Sequence, residues 1–78
     1  MAILRLFASV RVVAGTGRAT IDGATVGEVV DAACARFGPE FAAQLQVCRI
    51  WRNGEPAELG DVVAEGDEVA ILPPVSGG

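Results

Sequence analysis

Histidine, lysine and tyrosine are missing altogether from this chain, and every cation it carries is an arginine: residues 5, 11, 18, 36, 49 and 52. Without histidine the commonest general base and the commonest nitrogen ligand for metals are gone. Without lysine there is no side-chain amine for Schiff-base chemistry or for linkage to another protein. Cysteine is scarce, with only Cys34 and Cys48. Two thiols without an imidazole do not make an ordinary zinc site, so no metal is expected. No apolar run approaches the length of a membrane span. Arg5 interrupts the first apolar stretch, which excludes the pattern of a secretory leader and points to a cytoplasmic setting with reduced thiols. Charge of one sign is also short. Six basic residues face ten acidic ones, for a net charge of −4 and a pI near 4.5. Such a chain repels phosphate backbones, so nucleic acid is not an expected partner.

Apolar residues, by contrast, are ample. They make up 51% of the 78 residues, enough for one modest core and one domain. Residues 2–8, AILRLFA, predict a first strand, almost wholly apolar apart from Arg5. Near-continuous apolarity fits a strand with neighbours on both sides. SVRVVAGTG at 9–17 loses the pattern and reads as a turn. RATID at 18–22 predicts a second strand closed by Asp22-Gly23.

Thr25 opens the clearest element. Thr25 and Glu28 have capping-box spacing. Val26, Val29, Val30, Ala33, Cys34 and Phe37 follow along one helical face, and Gly38-Pro39 stop it. The spacing predicts a helix over 26–37. Glu40 to Gln46 add a further helical turn, with Phe41 and Leu45 inward. Val47 to Arg52 predict a third strand, and Asn53-Gly54 is the strongest hairpin signal in the chain. Pro56 restricts the next strand to an edge. After a turn at 65–67, Glu68 to Leu72 form the last strand.

The order β-β-α-β-β-β has its most apolar strands first and last. Strands buried on both sides belong mid-sheet, so these two should lie side by side, with the helix crossing over one face. That is an α+β arrangement of the β-grasp, ubiquitin-like kind. The expectation is a mixed sheet of four to five strands around one main helix, a domain over residues 1–72, and an extended tail over 73–78.

The body offers little chemistry. The carboxylates at 61, 65, 67 and 68 do not match a calcium loop and read as a solvated turn. Gly15-Thr16-Gly17 lacks the helix and lysine of a phosphate loop. Ser76 has no base partner in reach. Cys34 and Cys48 read as structural thiols.

The tail, LPPVSGG at 72–78, is different. Pro73 and Pro74 lock φ and remove two donors, so the last strand must end and the backbone stay extended. Val75 and Ser76 are compact, and Gly77 and Gly78 are bare. Six residues beyond Leu72 reach roughly 20 Å, long enough to thread a narrow channel. A terminal carboxylate is ionised at neutral pH and a poor electrophile until activated. An acyl-adenylate would supply a leaving group that a sulfur donor could displace.

Residues 66–78, GDEVAILPPVSGG, closely resemble the C-terminus of the small subunit of molybdopterin synthase, the MoaD-type ubiquitin-like sulfur carrier. LFASVRVVAGT at 6–16 resembles the opening of that family, with Val12 where the family often has Glu. The resemblance implies that the chain is a non-catalytic carrier that binds no cofactor itself. A MoeB-type adenylating enzyme would activate the Gly78 carboxylate with ATP, and a sulfur relay would convert it to a thiocarboxylate. A MoaE-type large subunit would take the tail, Pro73, Pro74, Val75, Ser76 and Gly77, within a heterotetramer, and sulfur would pass to a pterin dithiolene. Phe7 and Arg11 match positions near the partner-facing surface; core packing and an exposed charge are their simpler readings. The same ending fits a carrier for thiamine, cysteine or tRNA thiolation, and a ubiquitin-like modifier joined to other proteins through Gly78. A plain interaction domain with an idle tail is the remaining alternative.

Overall fold

The first and last strands are neighbours at the heart of one sheet. The computed structural model describes residues 1–74, and the tail positions Val75, Ser76, Gly77 and Gly78 lie outside the described residues. The elements are β1 (Ala2–Leu6), α1 (Ala8–Ala14), β2 (Arg18–Ile21), α2 (Val26–Phe37), α3 (Pro39–Leu45), β3 (Arg49–Arg52), β4 (Glu55–Pro56) and β5 (Glu68–Leu72). The sheet order is β2-β1-β5-β3-β4. β1 and β5 run parallel, and the other pairings are antiparallel. This is a β-grasp, ubiquitin-like fold with a mixed five-stranded sheet and three helices.

One sheet face is sealed. Leu4, Leu6, Val69 and Ile71 are at most 2% exposed. They pack against Val26, Val29 and Ala33 of α2, Phe41 of α3 and Val10 of α1. The Phe37 and Phe41 rings meet at 5.1 Å between centroids, tilted by 52°. The described residues bury no side-chain polar atom without a partner.

Local chemistry sets the boundaries. Thr25 Oγ1 accepts the Glu28 N–H at 3.2 Å, the expected half of the capping box. The Glu28 carboxylate reaches back further than the box predicts, accepting the Ala24 N–H at 3.1 Å. Pro39 ends α2 and, as the first residue of α3, opens the next helix, where its missing N–H costs nothing. Asn53 and Gly54 have φ of 51° and 84°, the two positive values that a tight hairpin turn with strand-matched twist requires. Pro56 sits in a two-residue outer strand, where no donor is needed.

The stretch 9–17, expected as a turn, is instead mostly helical. Residues 8–14 form α1, and β1 stops at Leu6 rather than residue 8. Val10 is fully buried, while Val13 and Ala14 pack partly against the core, an i, i+3, i+4 face within a seven-residue helix. Helices this short gain their stability from packing rather than from propensity, and three valines mask the periodicity. Gly15, at φ 77°, is the left-handed residue that closes α1, with its N–H on the Arg11 and Val12 carbonyls.

Candidate functional site

The tail leaves the sheet from its centre. Leu72 ends β5, flanked by the end of β1 and the start of β3: Ile71 pairs with Leu6, and Leu72 pairs with Arg49. Pro73 is half-buried and Pro74 exposed, outside any strand. The expected strand stop at the two prolines is therefore where the ladder ends, directly after Leu72. The parallel β1–β5 pairing brings four segment ends to one pole of the molecule: the ends of β1 and β5 and the starts of β2 and β3.

Side chains alternate between faces along a strand, so the register places every residue. With Leu4, Leu6, Val69 and Ile71 on the sealed face, Arg5, Ala70 and Leu72 fall on the open one. One row across that open face reads Arg18, Arg5, Ala70, Trp51, Pro56, from β2 to β4. The next row towards the tail holds Leu72 beside Arg49. The open face thus has a cationic half, a small residue in the middle and an aromatic half.

Phe7 and Arg11 lie at the same pole. Phe7 is 40% exposed and caps α1 with extended backbone, so it is not a core side chain. Ala8 follows it at φ 50°, a region L-residues with a Cβ rarely occupy, which holds the chain in a sharp bend as it leaves β1. Arg11 is exposed, and its guanidinium lies over Gly17, where a Cβ would approach Nε to 3.2 Å. A cleft of about 420 Å³ opens between them, lined by Arg5, Leu6, Phe7, Arg11, Thr16, Gly17 and Arg18.

The remaining titratable groups are structural. Cys34 and Cys48 are both free and half-buried. Burial, then the nearby Asp31 carboxylate, pushes the Cys34 thiol above its ordinary value; burial alone does so for Cys48, which donates to the Gln44 carbonyl at 3.2 Å. Neither is set up as a thiolate nucleophile. The acidic turn is built by its own carboxylates. Asp61 accepts the Glu58 N–H at 2.9 Å and Asp67 accepts the Ala64 N–H at 2.8 Å. The Ala64 N–H, the Asn53 side chain and, more weakly, the Arg52 guanidinium hold the Asp67 carboxyl below its usual range. Among the described residues no group of three or more histidine, cysteine, aspartate or glutamate side chains is gathered as for a metal ion. No described helix is long and apolar enough to cross a membrane.

Sequence reasoning singled out Phe7 and Arg11 at this pole but passed over Arg18, Arg49 and Trp51. Strand alternation, once the register was known, would have found them. The register itself is set across the sheet and is not visible along the chain.

Comparison with known proteins places the chain in a family. The model of the ThiS family matches residues 4–78. Small archaeal modifier protein 1 of Haloferax volcanii is 42% identical, over 95% of this chain and 97% of its own. A chain in the crystal structure of the Amycolatopsis orientalis BexX/CysO complex superposes with a TM-score of 0.85 at 26% identity, covering all of both chains. A chain in the complex of subunits 1 and 2 of the molybdopterin-converting factor from Helicobacter pylori superposes at 0.73 with 25% identity, covering 99% of this chain and 97% of that one.

Proposed function

The chain belongs to the ThiS family, the ubiquitin-like sulfur carriers and modifiers, and from that premise we propose that its working group is the Gly78 carboxylate. We assign it the role of the small subunit of molybdopterin synthase. On a MoeB-type enzyme the Gly78 carboxylate attacks the α-phosphorus of ATP, forming the acyl-adenylate and releasing pyrophosphate. A sulfur donor then displaces AMP and leaves a thiocarboxylate. A MoaE-type large subunit receives the tail and passes the sulfur to a pterin substrate, where it becomes part of the dithiolene. The carrier itself supplies no catalytic base, and the ATP belongs to the activating partner.

The observation that carries this reading is the PPVSGG ending placed directly after the central strand. A tail rooted mid-sheet can reach beyond the body, and prolines at its root favour an extended backbone. Bare glycines then present the carbonyl carbon without a Cβ to crowd its attacker. The Helicobacter pylori complex, between two subunits of a molybdopterin-converting factor, supports a subunit role of this type. Phe7 and Arg11, which line one cleft at the end of the sheet from which the tail leaves, are assigned to the partner interface.

A second reading is favoured by the 42% identity to an archaeal modifier protein. Its first step is the same adenylate. An amine on another protein then displaces AMP and forms an amide, in place of sulfur. The two readings part only at the nucleophile.

Intact mass separates them. Incubation with the activating enzyme, ATP and a sulfur donor should replace one oxygen of the chain by sulfur. A carrier of unchanged mass under these conditions would remove the first reading. Blotting cells for the chain should show only its free form; a ladder of high-mass conjugates would favour the second.

A further inference from the structure

The open sheet face contains an arrangement that stability alone does not account for. Arg18 of β2 and Arg5 of β1 are directly paired across the antiparallel ladder on that face. Like charges placed directly opposite destabilise a sheet. Little neutralises them: the Glu68 carboxylate stands 3.8 Å from Arg5, with both side chains about half exposed. An ion pair of that kind contributes next to nothing. Arg11 lines the same cleft, and Arg49 sits beside Leu72 at the root of the tail. Four of the six arginines in an acidic chain therefore gather at one pole. The carboxylates of Glu65 and Asp67 lie at the other end of β5, where Glu65 pairs with the Met1 amine and Asp67 closes its own turn. Local conflicts of this sort mark residues kept for function.

We propose that Arg5, Arg11, Arg18 and Arg49 form a docking surface for an acidic protein surface, one that surrounds the entrance receiving the tail. Arg5, Arg11 and Arg18 line one cleft at the end of the sheet from which the tail leaves, and Arg49 pairs with Leu72 on the other side, so a protein that binds the tail comes against them. A shallow, open, half-exposed array suits a broad acidic rim better than a closed anion pocket would. The charge separation also orients the encounter. The partner's negative field attracts the tail pole and repels the rest of this net-negative molecule, so the tail arrives first. This inference rests on the carrier reading only for the choice of partner.

The test uses R18E. A carboxylate opposite Arg5 replaces repulsion with an attractive cross-strand pair, so the variant should melt about 1–4 °C higher. At the same time its KM as substrate of the MoeB-type adenylating enzyme should rise about tenfold at low salt, and the dependence of KM on ionic strength should fall by about half. R36E, the same charge change at the exposed end of α2, where Arg36 donates to the Thr20 carbonyl at 3.3 Å, should shift KM less than about twofold. A more stable R18E with unchanged KM and unchanged salt dependence would overturn the docking surface while leaving the carrier reading intact. Should the enzyme fail to adenylate the wild-type chain, the carrier reading fails instead, and a second probe decides. In a titration with a decaglutamate peptide followed by NMR, the Arg5, Arg11, Arg18 and Arg49 signals should move together. No movement overturns the proposal, as does equal movement with inorganic phosphate at matched ionic strength.

Discussion

The two faces of this one sheet are made by the same five strands, yet they follow opposite rules. The face under the helices is apolar across β2, β1 and β5, with Leu4, Val69 and Ile71 completely shielded and, among the described residues, no buried polar side-chain atom left without a partner; its polar residues, Arg52 and Glu55, come only at the β3–β4 end. The open face sets Arg18 against Arg5, leaves Trp51 half-exposed beside Ala70, and lets the tail depart next to Arg49. The buried core lies on the first face and the proposed docking surface on the second, because a strand sends alternate residues to opposite sides.

Removing Gly77 and Gly78 should separate the faces most completely. Thiocarboxylate formation should vanish in the mass assay, while the melting temperature stays at its wild-type value, because the described core ends at Ile71. A truncated chain that still acquires sulfur would break the assignment of function to the tail. Next comes the sealed face. Leu4→Ala, at a fully buried central position, should cost about 2–5 kcal/mol in denaturant unfolding. For a domain of this size that approaches the whole stability, so a loss under about 1 kcal/mol would mean that the core collapses around the missing side chain.

A smaller effect tests the helix that covers that face. Thr25→Ala removes the acceptor for the Glu28 N–H and should cost about 1 kcal/mol, with Thr25→Ser restoring most of it. The smallest expected effect is at the acidic turn. The folded state holds the Asp67 carboxyl below its usual range, chiefly through the Ala64 N–H. Its stabilising contribution is therefore complete above the unfolded value of about 4 and is lost as pH falls through the lower folded value. Asp67→Asn should flatten that acid limb of the stability profile and leave its slope unchanged at neutral pH. An acid limb as steep in the variant as in the wild type would assign the loss to other carboxylates.

Much of this was legible along the chain. The T-x-x-E signal and six residues on one face located the main helix, and its observed span is the expected 26–37. The apolar first and last strands predicted their own adjacency, since strands without a polar side need neighbours on both edges. Asn53-Gly54 and Pro56 fixed a hairpin and its outer edge. The first helix was hidden, because seven residues rich in valine carry too little periodicity and too little propensity to declare themselves. The arginine row was hidden for another reason. Arg5 and Arg18 are far apart along the chain, and only the β1–β2 register sets them opposite each other.

By itself the sequence determined the composition limits, the main helix, the pairing of the outermost strands in chain order and the residue types of the tail, because these depend on short-range periodicity, backbone restriction and residue type. Only the tertiary structure decided which arginines stand together, which aromatic ring stays open and which residues share the end of the sheet from which the tail leaves. Those follow from strand register and sheet order, which are settled by the packing of the whole core.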